Sequence, residues 1–302
     1  MNRQFSAALI CFISSAALAA PVTIEHKLGK TTLEQNPKRV VVIGVGALDA
    51  LNAFGVEPVA VAKAGTLPSY LEKYYSDDYA SAGSLFEPDF EKIYMQKPDL
   101  IIIGGRAAEK YDELSDIAPT VLFAAEDGQG YWESTQQQWR RLAQIFDNAD
   151  KVEQTIDKLD AEFKQIKAYN EKNNVDALTV MSSGNNITTF GAESRFSSIY
   201  KDFGFVETVE GIKPTRHGDL ISYEYIREAN PTTLLVIDRN KLVNKGESTT
   251  KQDFENDLVK ATNAYQNNAV TFLDVNAWYL SISGVTATEQ MLSDVKQSIG
   301  LK

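Results

Sequence analysis

Three arginines, one histidine and one tyrosine carry the chemistry this sequence can offer. Arg106 closes the run Gly104-Gly105-Arg106 after the apolar stretch Leu100–Ile103, and Arg239 closes Asp238-Arg239 after Leu234–Ile237. Both belong to a pattern, sixteen residues from its Glu to its Arg, that occurs twice. The first copy reads Phe90-Glu91-Lys92-Ile93, then Lys97-Pro98-Asp99; the second reads Tyr223-Glu224-Tyr225-Ile226, then Asn230-Pro231-Thr232. Glu to Pro is seven residues and Glu to Arg fifteen in both copies. A single Arg after a strand is ordinarily a surface ion pair, but two at matching repeat positions point to two similar lobes gripping an anion between them. Arg195, in the Gly-containing turn Gly191-Ala192-Glu193-Ser194-Arg195-Phe196, is a third cation. His217 lies in the polar loop Arg216-His217-Gly218-Asp219, and Tyr279 follows the apolar run that begins at Val270. Alone, a loop His is solvated and such a Tyr is packing. On one cleft with three Arg they make one chemistry: a phenolate and an imidazole can ligate a hard trivalent cation such as Fe³⁺. The guanidiniums can then neutralise, pair with and stack on an anionic aromatic chelator. The 13 Tyr and 14 Phe suit a pocket for such a ligand.

Other chemistries find no support. There is no G-x-S-x-G and no P-loop, and Gly44-Val45-Gly46 lacks a third Gly at dinucleotide spacing. Cys11, the only cysteine, falls inside a stretch that reads as a removed leader, and there are two His, which excludes zinc fingers, Cys nucleophiles and His-rich metal cages. No acid–base pair stands at a recognisable spacing, so the chain reads as a binder and not as an enzyme; a secreted hydrolase using Tyr279 or His217 is the rival from another class. The chain of 302 residues carries 30 Lys+Arg against 41 Asp+Glu, a net charge of −11. That balance argues against nucleic acid or anionic lipid as partner, so any anion site must be a local basic pocket.

Residues 1–19 read as a secretory leader: Arg3, a short apolar core from Ala7 to Ile13, and Ala17-Leu18-Ala19 before a cut after Ala19. Cys11 lies inside it behind Ile10, a residue too large for a lipid-anchor signal. The mature chain thus has no cysteine, and its expected compartment is the periplasm.

The elements that must position these groups alternate. Val40–Ile43 is a β-branched strand ending at Gly44, followed by a helix from Gly46 to Phe54 closed by Gly55. Val56–Ala62 is a strand, Leu67–Tyr75 and Phe90–Gln96 are helices, and Leu100–Ile103 is a buried strand. Short, uniformly apolar strands between helices indicate a parallel sheet covered on both faces. Residues 149–172 differ: Val152, Ile156, Leu159, Phe163, Ile166 and Tyr169 recur every three or four positions without Gly or Pro. This is one long amphipathic helix of roughly 35 Å. It separates the repeat copies, either as an ordinary domain helix or as a strut between lobes. The second half alternates again: Leu178–Val180 strand, Phe196–Phe203 and Glu224–Glu228 helices, Leu234–Ile237 strand, a helix from Gln252 to Ala264, Val270–Leu273 strand, and a closing helix from Thr288 to Ile299. The expected organisation is an N-terminal α/β lobe over 20–148, the helix at 149–172, and a C-terminal α/β lobe over 173–302.

Gly104-Gly105-Arg106, Phe190-Gly191 with Ser194-Arg195-Phe196, His217-Gly218, Val236-Ile237-Asp238-Arg239-Asn240 and Trp278-Tyr279-Leu280 together resemble the periplasmic binding proteins of iron–siderophore import. The likeness covers essentially the whole mature chain and is closest to binders of catecholates of the enterobactin type. It implies a two-lobed α/β protein of the class III type with a single long interlobe helix. It also implies a monomer with no permanently bound cofactor, carrying Fe³⁺ as its siderophore complex to an inner-membrane ABC permease dimer. By resemblance, Arg106, Arg195, Arg239 and Trp278 line the cleft. His217 and Tyr279 complete the iron's coordination when a linear bis-catecholate leaves two of its positions open. Glu91 and Glu224 are the residues that dock to the permease, although a carboxylate at a helix start serves equally well as a simple favourable charge there. Haem and a hydroxamate siderophore are the alternative ligands. His26 matches no motif and is expected on the surface.

Overall fold

The computed structural model describes residues 21–301 apart from 64, 127–128, 216 and 245. The expected leader, with Cys11 and the cleavage point, lies outside the described residues, as does Arg216 beside His217. The described chain opens with a hairpin, β1 (Pro21–His26) and β2 (Gly29–Glu34). The first lobe follows: β3 (Val40–Ile43), α1 (Val45–Phe54), β4 (Ala60–Val61), β5 (Ala80–Ser81), α2 (Phe90–Met95), β6 (Leu100–Gly104), α3 (Tyr111–Ser115) and β7 (Thr120–Phe123). Its strands form a parallel sheet in the order β5-β4-β3-β6-β7. All four residues of β3 and Leu100–Ile103 of β6 are buried, as strands covered on both faces require. From β3 the chain moves outward to β4 and β5, then returns to the other side of β3 as β6. The order reverses at the β3–β6 seam, and a ligand crevice lies beyond the carboxyl ends of such strands.

α4 (Tyr131–Phe146) closes the first half, and the long α5 (Ala149–Asn173) links it to the second. At 25 residues, α5 is about 37 Å long. It buries Val152, Ile156, Leu159, Phe163 and Ile166 on one stripe. The second lobe comprises β8 (Asp176–Ser183), β9 (Asn186–Phe190), α6 (Ser198–Lys201), β10 (Val206–Glu207), β11 (Asp219–Ile221), α7 (Tyr223–Ala229) and β12 (Thr233–Asp238). After it come four short helices, α8 (Asn240–Val243), α9 (Thr250–Asp253), α10 (Asp257–Lys260) and α11 (Asn263–Gln266), then β13 (Val270–Leu273) and α12 (Val285–Ser298). The sheet order is β11-β9-β8-β12-β13, with β10 also pairing β8. Its second seam, β8–β12, is the counterpart of β3–β6.

The repeat is a structural repeat as well. Asp89 caps α2 by accepting from Lys92 N (3.1 Å), and Ser222 caps α7 by accepting from Tyr225 N (3.5 Å). Both copies then leave the helix through a left-handed residue before proline, Lys97 (φ 48°) and Asn230 (φ 45°). Proline cannot continue a helix, so the chain turns straight into the buried strand.

The two lobes share one apolar core. Trp132 of α4 stacks on Phe163 of α5 (4.7 Å), Phe163 stacks on Phe203 (4.8 Å), and Phe203 meets Trp278 (5.9 Å). Two reciprocal caps cross the same boundary. Asp49 of α1 accepts from Thr286 N (3.0 Å) and Ala287 N (2.9 Å) at the start of α12. Asp202 accepts from Tyr131 N and Trp132 N (both 3.2 Å) at the start of α4. Each carboxylate answers backbone donors that a helix start leaves unpaired.

Several expectations are corrected. The second sheet is mixed: β9 pairs antiparallel with β8, and β11 with β9. Asn186 and Gly184 (φ 59°) make a hairpin that short apolar runs do not announce. The helix expected from Gln252 to Ala264 is three separate turns, because Asn256 and Thr262 each cap a new start. Leu67–Tyr75 is a 3₁₀ segment over Ser69–Tyr75, and the strand expected at Val56–Ala62 shrinks to Ala60–Val61. His26 is buried (7 % exposed), its Nε2 3.0 Å from Thr31 Oγ1 and its ring edge-on to Tyr111. The hairpin that buries it is invisible to a motif search.

Candidate functional site

Arg106 and Arg239 stand at equivalent places, just past the carboxyl ends of β6 and β12. At the first seam, Gly44 and Gly104 let the backbones touch: a Cβ on Gly44 would lie 2.9 Å from Gly104 N. Arg106 follows in a 3₁₀ turn, Gly105–Lys110, and its Nη2 donates to the carbonyl of Tyr279 (3.2 Å). Arg239 is held by its own amide, which donates to Ser182 O (3.0 Å), and by Nη1, which donates to Ser183 Oγ (2.7 Å). The buried Asp238 behind it accepts from Ser248 and Thr250 hydroxyls and stiffens the strand exit.

Arg195 arrives differently, from a turn after the antiparallel strand β9. Ser194 N donates to Gly191 O (3.0 Å), and Ala192 N donates to Glu207 Oε1 (2.6 Å). A side chain at Gly191 would strike that carboxylate, at 2.6 Å. Phe196 is buried, and the exposed Arg195 guanidinium lies over its ring (5.2 Å).

Tyr279 occupies a single π-helical turn, Asn276–Leu280, closed by Ser281 N donating to Asn276 O (2.7 Å). Such turns shift the helical phase by one residue and recur at functional sites. Here the shift puts neighbouring aromatics on opposite faces. Trp278 points into the core at 2 % exposure, and its Nε1 donates to Asp294 Oδ2 (2.9 Å). The same oxygen accepts from Asp274 N (2.7 Å), tying both ends of the turn to α12. Trp278 is therefore an anchor and lines no cleft, contrary to the expectation for it. Its ring is already filled by packing and its one donor is spent.

Tyr279, half-buried, is ringed by all three cations. Arg195, Arg239 and Arg106 lie 4.1, 5.7 and 5.9 Å from its ring centroid. Burial alone would raise its phenol pKa, but the positive charges of Arg195 and Arg239 outweigh that and hold it below the usual tyrosine value. Burial pushes the Arg106 guanidinium down, and repulsion from Arg195 adds to this. None of the three arginines has a carboxylate partner among the described residues. Three guanidiniums around one phenol, in a chain of net charge −11, concentrate positive charge around a hard oxygen donor.

His217 is exposed in the loop before β11 and is joined to Tyr279 by no hydrogen bond or ring contact among the described residues. Its neighbour Gly218 (φ 78°) is seated where a Cβ would lie 2.7 Å from the Phe190 ring. Phe190 in turn packs edge-on against Phe196 (4.9 Å) under Arg195. The His217 loop is thus fixed at one end to the aromatic floor beneath Arg195. No group of three or more His, Cys, Asp and Glu among the described residues could hold a metal ion. No helix among them is long and apolar enough to cross a membrane.

Glu91 and Glu224 both sit exposed in the first turn of their helices. Capping is done by Asp89 and Ser222, so Glu91 is not needed for it; the Ser222 hydroxyl also reaches Glu224 and lowers its pKa. Sequence reasoning does not reach Ser183, Asp294 or Phe86. The first two act through hydrogen bonds across the fold, and Phe86 sits in an irregular turn with no motif.

Comparison with known proteins agrees with this architecture. The family model for periplasmic binding proteins matches residues 40–277. The chain is 40% identical over 281 residues to the petrobactin-binding protein of Bacillus subtilis (strain 168), covering 92% of this chain and 88% of that one. It is 31% identical over 282 residues to the ferric-anguibactin-binding protein of Vibrio anguillarum, covering 92% and 87%. Among solved structures, the periplasmic catecholate-siderophore binding protein of Vibrio cholerae superposes with a TM-score of 0.90 at 67% identity, covering 92% of this chain and all of that one. A family match over most of the chain, and a shared fold at that level of identity, make it a member of the periplasmic binding protein family, of the two-lobed type whose halves are joined by one long helix.

Proposed function

We propose that the chain binds a ferric catecholate siderophore between its lobes and delivers it to an ABC permease of the inner membrane, without catalysing a reaction. The observation that carries this reading is the set of three carboxylate-free guanidiniums around the Tyr279 ring. Catecholate oxygens spread negative charge over a wide, flat ligand, and three planar cations match that better than a pair of point charges would. Petrobactin- and catecholate-binding relatives over nearly the whole chain support the same class. Iron arrives as cargo within its chelator. Where the chelator supplies only four donors, Tyr279 and His217 supply the remaining two. The lowered phenol pKa makes Tyr279 easier to deprotonate for this purpose. The expected compartment is the periplasm and the expected state a monomer. Glu91 and Glu224, exposed at equivalent sites on the two lobes, are the contacts to the permease.

Haem is the competing cargo, since Tyr and His also suit its iron. Two propionates would leave one of three guanidiniums unanswered. Titrating the protein with a ferric linear bis-(2,3-dihydroxybenzamide) complex and with haemin, followed by tryptophan fluorescence, separates them. Tighter binding of the bis-catecholate is expected; tighter haemin binding would overturn the reading.

A further inference from the structure

Phe86 is an unusual side chain for its position. It is large, apolar and 60% exposed, yet its ring is not adrift on the surface. The Arg106 guanidinium lies 5.9 Å from the Phe86 centroid and 5.9 Å from the Tyr279 centroid, so one cleft cation sits between two aromatic rings from different lobes. Scattered exposed hydrophobics are ordinary and need no explanation. Tyr94, Met95, Leu220 and Val243 are of that kind, having no ring-to-guanidinium contact in the cleft.

The turn that carries Phe86 is built to hold it still. Ser84 N donates to Glu87 O (2.9 Å), and the Ser84 hydroxyl accepts from Phe86 N (3.2 Å) and Glu87 N (2.9 Å). Gly83 bridges to Pro88 and stands at φ 90°, where a Cβ would come within 2.6 Å of Glu87 O and Asp89 N. Leu85 packs into the apolar cores on the inner side of the turn. The turn follows β5, so it emerges at the same carboxyl end of the parallel sheet as Arg106. A rigid turn that exposes a two-torsion aromatic has already lost the entropy that binding would otherwise cost.

We propose that Phe86 is a specificity-determining wall of the N-terminal lobe, taking the face of one aromatic arm of the ligand while Arg106 pairs with that arm's oxygens. The inference rests on the ferric catecholate reading. It adds that the first lobe selects aromatic arms over aliphatic ones such as hydroxamates or citrate, because only a flat π surface uses both groups at once.

The test measures the affinity of ferric linear bis-(2,3-dihydroxybenzamide) for wild type, Phe86→Ala, Phe86→Leu and Phe86→Trp, with thermal melts to confirm folding. Loss of ring stacking should weaken Phe86→Ala and Phe86→Leu about five- to tenfold, and Phe86→Trp should stay within about twofold of wild type. Leu keeps apolar bulk but has no π face, so it separates stacking from simple burial. Wild-type affinity in Phe86→Ala, or in Phe86→Leu, overturns the proposal and leaves the cargo assignment standing. A wild type that does not bind the complex at all sinks the cargo assignment itself.

Discussion

The two copies of the repeat share a scaffold and differ in what has been added to it. In each, a side-chain cap starts a short helix, a left-handed residue before proline ends it, and a buried strand delivers an arginine to the seam of a sheet. The first copy lies in an all-parallel sheet and contributes Arg106, with Phe86 beside it. The second lies in a mixed sheet, and its departures from symmetry bear the remaining chemistry. The turn after antiparallel β9 carries Arg195, the loop before antiparallel β11 carries His217, and the π-helical turn after β13 carries Tyr279. The repeat thus supplies a pair of cations at fixed places, while the two proposed iron donors, His217 and Tyr279, come from segments outside it in the second lobe. Charge is shared between lobes; candidate coordination is not.

The comparison can be broken at its outer face first. If Glu91 and Glu224 are equivalent docking points, Glu91→Ala combined with Glu224→Ala abolishes siderophore-dependent uptake in cells and leaves affinity in solution unchanged, and each single variant lowers uptake to a similar extent. Unimpaired uptake by the double variant would remove the docking role from both copies. Inside the cleft, the paired arginines should be matched. A charge-assisted hydrogen bond contributes about 1.5–3 kcal/mol, so Arg106→Ala and Arg239→Ala should each weaken ferric bis-catecholate binding about 10- to 100-fold. Isothermal titration of the two variants side by side reads this directly; a difference beyond about tenfold would show that one lobe dominates capture. The smallest effect sharpens the asymmetry. Ligation by Tyr279 releases a phenol proton, and below the phenol pKa each unit fall in pH costs that step up to about tenfold. The nearby arginines lower that pKa and soften the penalty without changing its sign. Affinity for the tetradentate complex should therefore fall from pH 7 to pH 5 more steeply in wild type than in Tyr279→Phe, the variant serving to subtract the titration of the catechols themselves. Parallel slopes would take Tyr279 out of the coordination sphere.

Motion between the lobes is constrained by the same features that join them. A chain of ring contacts through Trp132, Phe163, Phe203 and Trp278, together with the Asp49 and Asp202 caps, would have to be disrupted for wide opening. A modest hinge about α5 is the movement this leaves available.

What the sequence determines by itself is everything that repeats or is periodic. Buried strands show as β-branched runs, the long helix as a stripe every three or four residues, and the seam arginines as matching offsets from Glu91 and Glu224, because these are local consequences of backbone period and steric allowance. Arg195, His217 and Tyr279 are legible only as residue types able to do the chemistry. The tertiary structure brings Arg195 and Tyr279 together, sends Trp278 inward where a contiguous motif would have kept both aromatics in the cleft, and buries His26, on a hairpin no motif announces, against Tyr111. It also sets Phe86 beside Arg106. The physical reason is common to these cases. A π-helical turn, an antiparallel hairpin and a serine-locked turn are each stabilised by partners distant in sequence, such as Asp294 for Trp278, so the direction of a side chain there is decided by packing that no local pattern encodes.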